Sequence, residues 1–393
     1  MLAALRIRDY RRFWLGSLVS NLGLWIQTIA LGWLVFDLTH SASWLGTVSF
    51  CGNAPTLILG LVGGAIADRA SRRLVMTASL VLLAGGALLL AFLTRTGHLT
   101  VWHVIGVAMM SGVATALYTP AMHSIVPALV GPENLVHAIS LNSVQFNLAR
   151  AVGPAIAGML YGPIGPDGCF VLNACGFLAM AVVVARLRLP SRPAEAPPPI
   201  LRALREGLRY MRTHATIGPS MFLAAVMSLF GFPYIILLPA VAGGLGLDAR
   251  GLGWLMACVG GGAVVGGLGL AGFGAQLRGQ RTSVYGAIAF GVVLASFAVV
   301  DTMRATMVVL FLLGALQTVT VASMTTTIQT DVHDGMRGRV MSMITVIFFG
   351  FSTTGGLVAG IIGDRLTVPL ALAAGGVVTA VVAVILARSR TFT

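Results

Sequence analysis

Residues 6–36 read RIRDYRRFWLGSLVSNLGLWIQTIALGWLVF, a cluster of arginines that leads directly into an uncharged run from Phe13 to Phe36. A helix needs about 20 residues to cross a hydrocarbon core about 30 Å thick, and this run is long enough to do so. The run is too long for the apolar region of a cleavable signal, and no small-residue cleavage site follows closely behind it. It therefore predicts a first transmembrane helix.

The rest of the chain has the same character. Of its 393 residues, 57% are hydrophobic and only 9% are charged, whereas a soluble domain carries about 25% charged residues. So few charges cannot cover a water-facing surface. The composition excludes a soluble enzyme, a secreted disulfide scaffold and a membrane anchor that carries a large catalytic domain.

Apolar segments separated by charged residues recur along the whole chain. Twelve helices of about 20 residues would use about 240 residues and leave room for short loops and one linker. We therefore predict an all-α polytopic membrane protein with twelve transmembrane helices in two six-helix halves. The predicted spans are 13–36, 43–66, 74–94, 101–122, 139–161, 169–187, 217–241, 252–274, 283–300, 305–327, 339–362 and 368–388.

The arginines predict the orientation. The chain has no lysine, and its 25 basic residues are all Arg. With the N-terminus in the cytoplasm, 20 of them fall in cytoplasmic segments, four fall outside, and Arg150 lies within a span. Because basic residues concentrate in cytoplasmic loops, this split predicts both termini inside. The net charge of +13 then reflects orientation, and no nucleic-acid partner is expected.

The middle of the chain differs from both halves. Residues 189–199 are rich in Pro and Ala, which argues against a helix there. In residues 200–212, apolar residues alternate with four arginines at helical spacing. This pattern is typical of an amphipathic helix on an anionic membrane surface, and equally of a solvated linker helix. We predict an N-terminal half at 1–187, a linker at 188–214 and a C-terminal half at 215–393.

The two halves resemble each other weakly. At an offset of 202 residues, Gly153 and Gly158 align with Gly355 and Gly360. Parallel repeats of six spans are typical of transporters whose binding site lies near the middle of the membrane.

The loop after the second span, residues 64–73, reads GAIADRASRR. It resembles the signature loop of the major facilitator superfamily, in which a Gly is followed four residues later by Asp-Arg and then by a basic pair. The resemblance implies twelve helices and a loop that holds the cytoplasmic side closed in the outward-facing state. The matching residues are Gly64, Asp68, Arg69, Arg72 and Arg73, and Ser71 departs from the pattern, since many relatives have Gly there. A basic cytoplasmic loop that contains an Asp by chance is the alternative interpretation.

The fifth span carries a second motif. Gly153, Pro154 and Gly158 resemble the Gly-Pro motif that antiporters of the superfamily place in this helix. In the family, this motif is associated with export. The alternative is a helix that is merely kinked by Pro154 and packed closely at its glycines.

Longer stretches are similar to the enterobactin-exporter-like efflux branch of the superfamily, notably residues 8–14, 21–23, 27–35, 120–142, 147–150 and 337–342. The resemblance implies export of an amphipathic small molecule, a drug-like compound or a siderophore, by alternating access as a proton antiporter. It also implies a monomer in the bacterial inner membrane, in contact with lipid, that needs a proton gradient and no cofactor. The alternative on the same fold is an importer or uniporter of a small nutrient.

Polar side chains inside spans are costly and are often functional. Arg150 is the one clear ionisable residue in a span, and it is either a cation in the transport cavity or a packing strut. The other cavity candidates, each of which could instead be a helix–helix hydrogen bond, are Asn21, Gln27, Tyr118, Asn142, Gln145, Asn147, Tyr234 and Gln317.

Other chemistries lack their motifs. No carboxylate lies in the middle of a span, so Asp37 and Asp68 are only weak candidates for proton coupling, and Asp364 is expected in an outer loop. No HExxH run and no Ser/His/Asp arrangement indicates a hydrolase, and a Walker loop needs a Lys. The four cysteines form no CxxC pair, so no metal site is predicted.

Overall fold

A computed structural model describes residues 2–69, 71–187, 214, 216–272 and 279–388, with the backbone alone at 2, 3, 60–69, 123, 124, 334, 335, 337 and 338. In this part of the chain, nine helices are long and apolar enough to cross a membrane. One of them is a run of 86 residues, Val101–Arg186, which is broken at Gly131 and Gly165. Dividing it into three and adding the 28-residue helix Ala42–Arg69 accounts for the predicted twelve helices.

The first half begins with a short 3-10 turn at Leu2–Arg6. Its helices are α1 (Arg8–Thr39), α2 (Ala42–Arg69), α3 (Arg72–Arg95) and the run Val101–Arg186 that contains α4, α5 and α6. Gly131 and Gly165 divide this run into α4 (101–130), α5 (132–164) and α6 (166–186). Their φ angles of 71° and 69° lie in the left-handed region, which glycine adopts without steric cost.

The second half contains α7 (Ile217–Gly244), α8 (Ala249–Gly272), α9 (Gln280–Ala298) and α10 (Met303–Asp331). Next comes α11, made of Asp334–Val346, Ile347–Phe351 and Ser352–Arg365. The chain ends in α12 (Val368–Arg388). Both α7 and α11 contain one π-helical turn, at Met227–Gly231 and Ile347–Phe351. Such turns are rare and occur frequently at functional sites.

The described residues divide into two compact units. Residues 2–38 and 51–187 form the first, and residues 39–50 join those from 214 onward in the second. The N-terminal end of α2 is thus part of the second unit, although the rest of this helix belongs to the first. Residues 188–213 of the predicted linker, with its amphipathic helix, lie outside the described residues, so the division into halves at the linker stays a prediction.

The core of the first unit consists of large apolar side chains from α1, α3, α4 and α6. Phe13, Met76, Leu80, Ile125 and Met180 are all at most 1% exposed, and they form one continuous cluster. Because lipid tails are as apolar as these side chains, close van der Waals packing rather than the hydrophobic effect holds such helices together.

The predicted repeat corresponds to a shared packing contact. In the first unit, a Cβ added at Gly153 of α5 would lie 2.5 Å from the Cβ of Trp25 in α1. In the second unit, a Cβ added at Gly355 of α11 would meet the carbonyl oxygen of Leu229 in α7. Each unit therefore uses a glycine of its fifth helix to bring that helix close to its first.

Candidate transport site and gating segments

Two aromatic residues in and just after the N-terminal basic cluster join α1 to α5 through hydrogen bonds. The Tyr10 hydroxyl donates to the backbone oxygen of Ala138 at 3.0 Å and to Oδ1 of Asn142 at 3.1 Å. One turn later, Trp14 Nε1 donates to the backbone oxygen of Leu141 at 3.1 Å. Asn142 is thus a helix–helix partner, and the i, i+4 spacing of Tyr10 and Trp14 is the signal by which the sequence could have revealed this contact.

A second polar contact joins α1 to α6. Asn173 donates through Nδ2 to Oε1 of Gln27 at 2.7 Å. Asn173 is fully buried, and its Oδ1 accepts no hydrogen bond from the described residues. A Cβ added at Gly23 would lie 2.8 Å from this oxygen, so the glycine makes room for it. Sequence reasoning missed Asn173, whose only signal is a single amide in an apolar run.

The polar candidates along α5 differ in how deeply they are buried. Gln145 is 1% exposed, and its Nε2 has no partner among the described residues. Asn147 is exposed and donates to the backbone oxygen of Ser143 at 2.8 Å, in its own helix. Arg150 is half-buried, and it takes no part in the ion pairs Asp9–Arg12 and Arg95–Asp167. Among the described residues, no hydrogen bond joins Gln145 or Asn147 to Arg150.

Two further candidates of the first unit, Asn21 and Tyr118, make contacts that are common in helix packing. The Nδ2 of Asn21 is 3.5 Å from Oγ of Ser17, one turn earlier in α1. Tyr118 is half-buried and packs against the apolar core of the unit. Their role in binding a substrate stays a prediction.

In the second unit, a polar pair lies inside an aromatic cluster. The Tyr234 hydroxyl donates to Oε1 of Gln317 at 2.8 Å, and the two residues are 0% and 9% exposed. The ring of Phe290 lies 6.1 Å from that of Tyr234 and meets Phe232 edge to face at 6.2 Å. Phe348 stacks on Phe232 at 6.0 Å. We call Phe232, Tyr234, Phe290, Phe348 and Gln317 the aromatic cluster.

Two buried hydroxyl groups occur on helices of this cluster. Ser228 lies in the π-helical turn of α7, and Thr320 lies one turn after Gln317 in α10. Both residues are 0% exposed, and within the described part of the chain their hydroxyls have no hydrogen-bond partner. Buried polar groups are nearly always paired, so each exception calls for an explanation.

The signature loop is described only in part. The backbone of α2 ends at Arg69, but only the backbone is described at Gly64, Asp68 and Arg69. Ser71, which departs from the family pattern, is the N-cap of α3, where its Oγ accepts a hydrogen bond from the Leu74 N–H at 3.2 Å. This satisfies one of the free N–H groups of the first turn.

The remaining residues of the two motifs lie in regular helix. In the first turn of α3, Arg72 is half-buried and Arg73 is exposed. Pro154 and Gly158 are buried in α5, and the breaks in this helical run lie at Gly131 and Gly165 rather than at Pro154. The gating role of the loop and the export role of the Gly-Pro motif stay predictions.

Two acidic residues near helix ends, Asp37 and Asp364, have different surroundings. Asp37 is exposed in the last turn of α1. Asp364 was expected in a loop, but it lies in the last turn of α11, where its carboxylate accepts hydrogen bonds from the start of α2. The expectation was wrong because α11 extends three residues beyond the predicted end of its span.

Comparison with known proteins agrees with this architecture. The family of transmembrane secretion effectors matches residues 1–392. The staphyloferrin A transporter of Staphylococcus aureus (strain NCTC 8325 / PS 47) is 30% identical over 238 residues, which are 58% of each chain. The matched region thus spans little more than half the length of that relative. The enterobactin exporter EntS of Escherichia coli O1:K1 / APEC is 26% identical over 391 residues, 96% of this chain and 90% of the exporter.

A solved structure shows the same fold. The chain superposes on a bacterial homologue of the iron transporter ferroportin, in its inward-facing state, with a TM-score of 0.76. The two share 15% sequence identity, and the match covers 97% of this chain and 99% of the other.

Proposed function

The chain belongs to the transmembrane secretion effector family of the major facilitator superfamily, and from this premise we propose that it exports an amphipathic small molecule from the cytoplasm. Its relatives are transporters rather than enzymes, and the chain is an integral membrane protein. The substrate class that we propose is a siderophore or a drug-like compound, moved across the inner membrane of a bacterium by alternating access.

The observation that carries this proposal is the match to the enterobactin exporter over 96% of the chain. The match extends through both halves, so it includes the regions that contain both the signature loop and the Gly-Pro helix. Export is therefore favoured over uptake, which a nutrient importer on the same fold would perform.

The aromatic cluster supports the substrate class. Aromatic faces and edges bind flat apolar groups through stacked and edge-to-face contacts, and siderophores and many drugs carry such groups beside polar ones. The hydroxyls of Ser228 and Thr320, which have no partner among the described residues, offer donors to polar atoms of a substrate once the helices around them rearrange. Four members of the cluster are buried in this structure and Phe348 is half-buried, so binding at the buried rings requires the motion that alternating access supplies.

Proton antiport completes the proposal. In the part of the chain that the structure describes, the acidic residues lie near helix ends or in loops, and none lies in the middle of a span. The candidates for proton exchange are therefore Asp37 and Asp68. Two further parts of the proposal, cytoplasmic termini and a monomeric state, follow the distribution of Arg and the family resemblance.

The test is transport by the purified protein in proteoliposomes. Vesicles that hold a catecholate siderophore or an amphipathic dye would be given a proton gradient of either sign, with protein-free vesicles as the control. We expect substrate to move against its own gradient in exchange for protons, towards the face that is outside in the cell. Absence of movement across a broad panel would contradict export, and net movement of a nutrient towards the cytoplasmic face would favour the importer.

A further inference from the structure

The first turn of α2 is capped by a residue from the other half of the sequence. Oδ1 of Asp364 accepts a hydrogen bond from the Ala42 N–H at 2.6 Å, and Oδ2 accepts one from the Ser43 N–H at 3.0 Å. Oδ2 also accepts the Ser41 hydroxyl at 2.5 Å. The first N–H groups of a helix have no partner in the helix, and its N-terminus carries a partial positive charge. A carboxylate at this position accepts hydrogen bonds from the free N–H groups, and its negative charge interacts favourably with the partial positive charge.

The backbones of α2 and α11 are in close contact next to this cap. A Cβ added at Gly360 would lie 2.5 Å from the Ala42 oxygen, and one added at Gly46 would meet the Gly356 oxygen. Any larger residue at either position would push the helices apart. The cap therefore works together with a glycine interface that holds α2 against α11.

The sequence around Asp364 repeats the pattern of the signature loop. Residues 360–365 read GIIGDR, and residues 64–69 read GAIADR, so a Gly precedes an Asp-Arg pair by the same spacing in both. The first lies at the end of α11 and the second at the end of α2. On the predicted topology these are opposite sides of the membrane. The chain thus carries one pattern at the cytoplasmic end of α2 and a matching one at the outer end of α11.

The position of α2 gives this contact a consequence for movement. Residues 39–50 group with the second unit, whereas α2 from residue 51 onward groups with the first. The outer end of α2 cannot leave α11 without breaking all three hydrogen bonds to Asp364. Because Asp364 is exposed, water can replace these bonds, which makes the contact reversible.

We propose that Asp364 is an outer latch: it holds the start of α2 against α11 while the outer end of the transport path is closed, and its release allows that end to open. The latch acts as a positioning device and contacts no substrate. It rests on the proposed function, because opening and closing of the outer end has a purpose only in an alternating-access transporter.

The test measures opening directly, without transport. Leu45 lies in α2 one turn from the cap and is 4% exposed. The test uses a full-length background in which four native cysteines are replaced by Ser: Cys51, Cys169, Cys175 and Cys258. In this background, the rate at which the thiol of Leu45→Cys reacts with a maleimide in detergent reports on how exposed the start of α2 is. We expect Asp364→Asn to raise that rate about tenfold, which corresponds to about 1.4 kcal/mol. The amide keeps one acceptor oxygen but loses the second acceptor and the negative charge that the helix N-terminus favours.

A second variant separates α2 from α11 by steric overlap instead of by loss of hydrogen bonds. Gly46→Ala places a methyl group against the Gly356 oxygen, and we expect it to raise labelling of Leu45→Cys by a similar factor. The matched controls are Asp301→Asn, an exposed acid between α9 and α10, and Gly106→Ala, where an added Cβ meets nothing within 4 Å. Both controls should label at the parent rate.

The outcomes separate the latch from the export function. Labelling within twofold of the parent in both Asp364→Asn and Gly46→Ala overturns the latch, whatever the transport assay shows. Faster labelling of both variants, with both controls unchanged, supports it. If the parent protein moves no substrate in proteoliposomes while the variants label faster, the export proposal fails and the outer contact between α2 and α11 stands.

Discussion

Gly153 of α5 lies so close to Trp25 of α1 that an added Cβ would be 2.5 Å from the Cβ of the tryptophan. Real Cβ atoms do not approach each other this closely, so Gly153→Ala must shift α5 away from α1. We expect a loss of about 1–3 kcal/mol of stability, as for other overpacked sites, with lower export. Thermal unfolding in detergent measures the first effect and proteoliposome efflux the second.

The control for this substitution is Gly162→Ala in the same helical run, where an added Cβ has nothing within 4 Å. It should leave both stability and export unchanged. Equal effects of the two substitutions would show that loss of backbone flexibility, and not helix contact, explains the result.

Tyr10→Phe should weaken the attachment of α1 to α5. The substitution removes the hydroxyl that bonds both Ala138 and Asn142 and keeps the buried ring. We expect destabilisation by about 1 kcal/mol, the usual value for such a bond between helices, measured as the thermal midpoint in detergent. Tyr285→Phe, at a ring that is 65% exposed, should have no effect. A midpoint equal to that of the parent for Tyr10→Phe would mean that the bond contributes nothing.

Tyr234 and Gln317 should be energetically coupled. Their side chains share one hydrogen bond of 2.8 Å, so Tyr234→Phe already removes the interaction that Gln317→Leu would remove. In a double-mutant cycle of unfolding free energies, we expect a coupling energy of about 0.5–2 kcal/mol. Strict additivity of the two substitutions would argue against this pair as a unit of the aromatic cluster.

Asp68→Asn should impair export while leaving insertion into the membrane intact. The substitution keeps the size of the side chain and removes the charge on which the gating role depends. We expect export to fall about tenfold or more, since loss of a charge-assisted bond costs about 1.5–3 kcal/mol. Asp301→Asn is the matched control. Full export by Asp68→Asn would remove the gating interpretation of the signature loop.

Substitutions of Arg150 distinguish a substrate-binding role from a structural role in helix packing. If it binds an anionic group, Arg150→Gln should lower export of anionic substrates about tenfold and leave neutral ones unchanged, whereas Arg150→Lys should retain part of the activity. The efflux of one anionic and one neutral compound measures this difference, with Arg304→Gln, at an exposed residue, as the control. Equal loss for both compounds, together with lower stability, would identify a strut.

The sequence was sufficient to identify a membrane protein with twelve helices and its superfamily. Apolar runs and the charges between them are local features, and each helix in a membrane satisfies its own backbone hydrogen bonds. Ala42–Arg69 and the segments of Val101–Arg186 therefore lie where their own composition predicts. The signature loop and the Gly-Pro helix are short local patterns as well, and they led to the correct family.

The tertiary structure alone decided which polar groups meet. Tyr10 bonds to Asn142, and Gln27 bonds to Asn173. Each pair is separated by more than 130 residues, and no local sequence pattern predicts either pairing. Asp364 is a further example. The local sequence predicts only an acidic residue just beyond the end of a span, whereas its partners Ala42 and Ser43 lie in the other half of the sequence. Helix identity follows from local hydrophobicity, but helix contacts depend on packing between segments far apart in sequence.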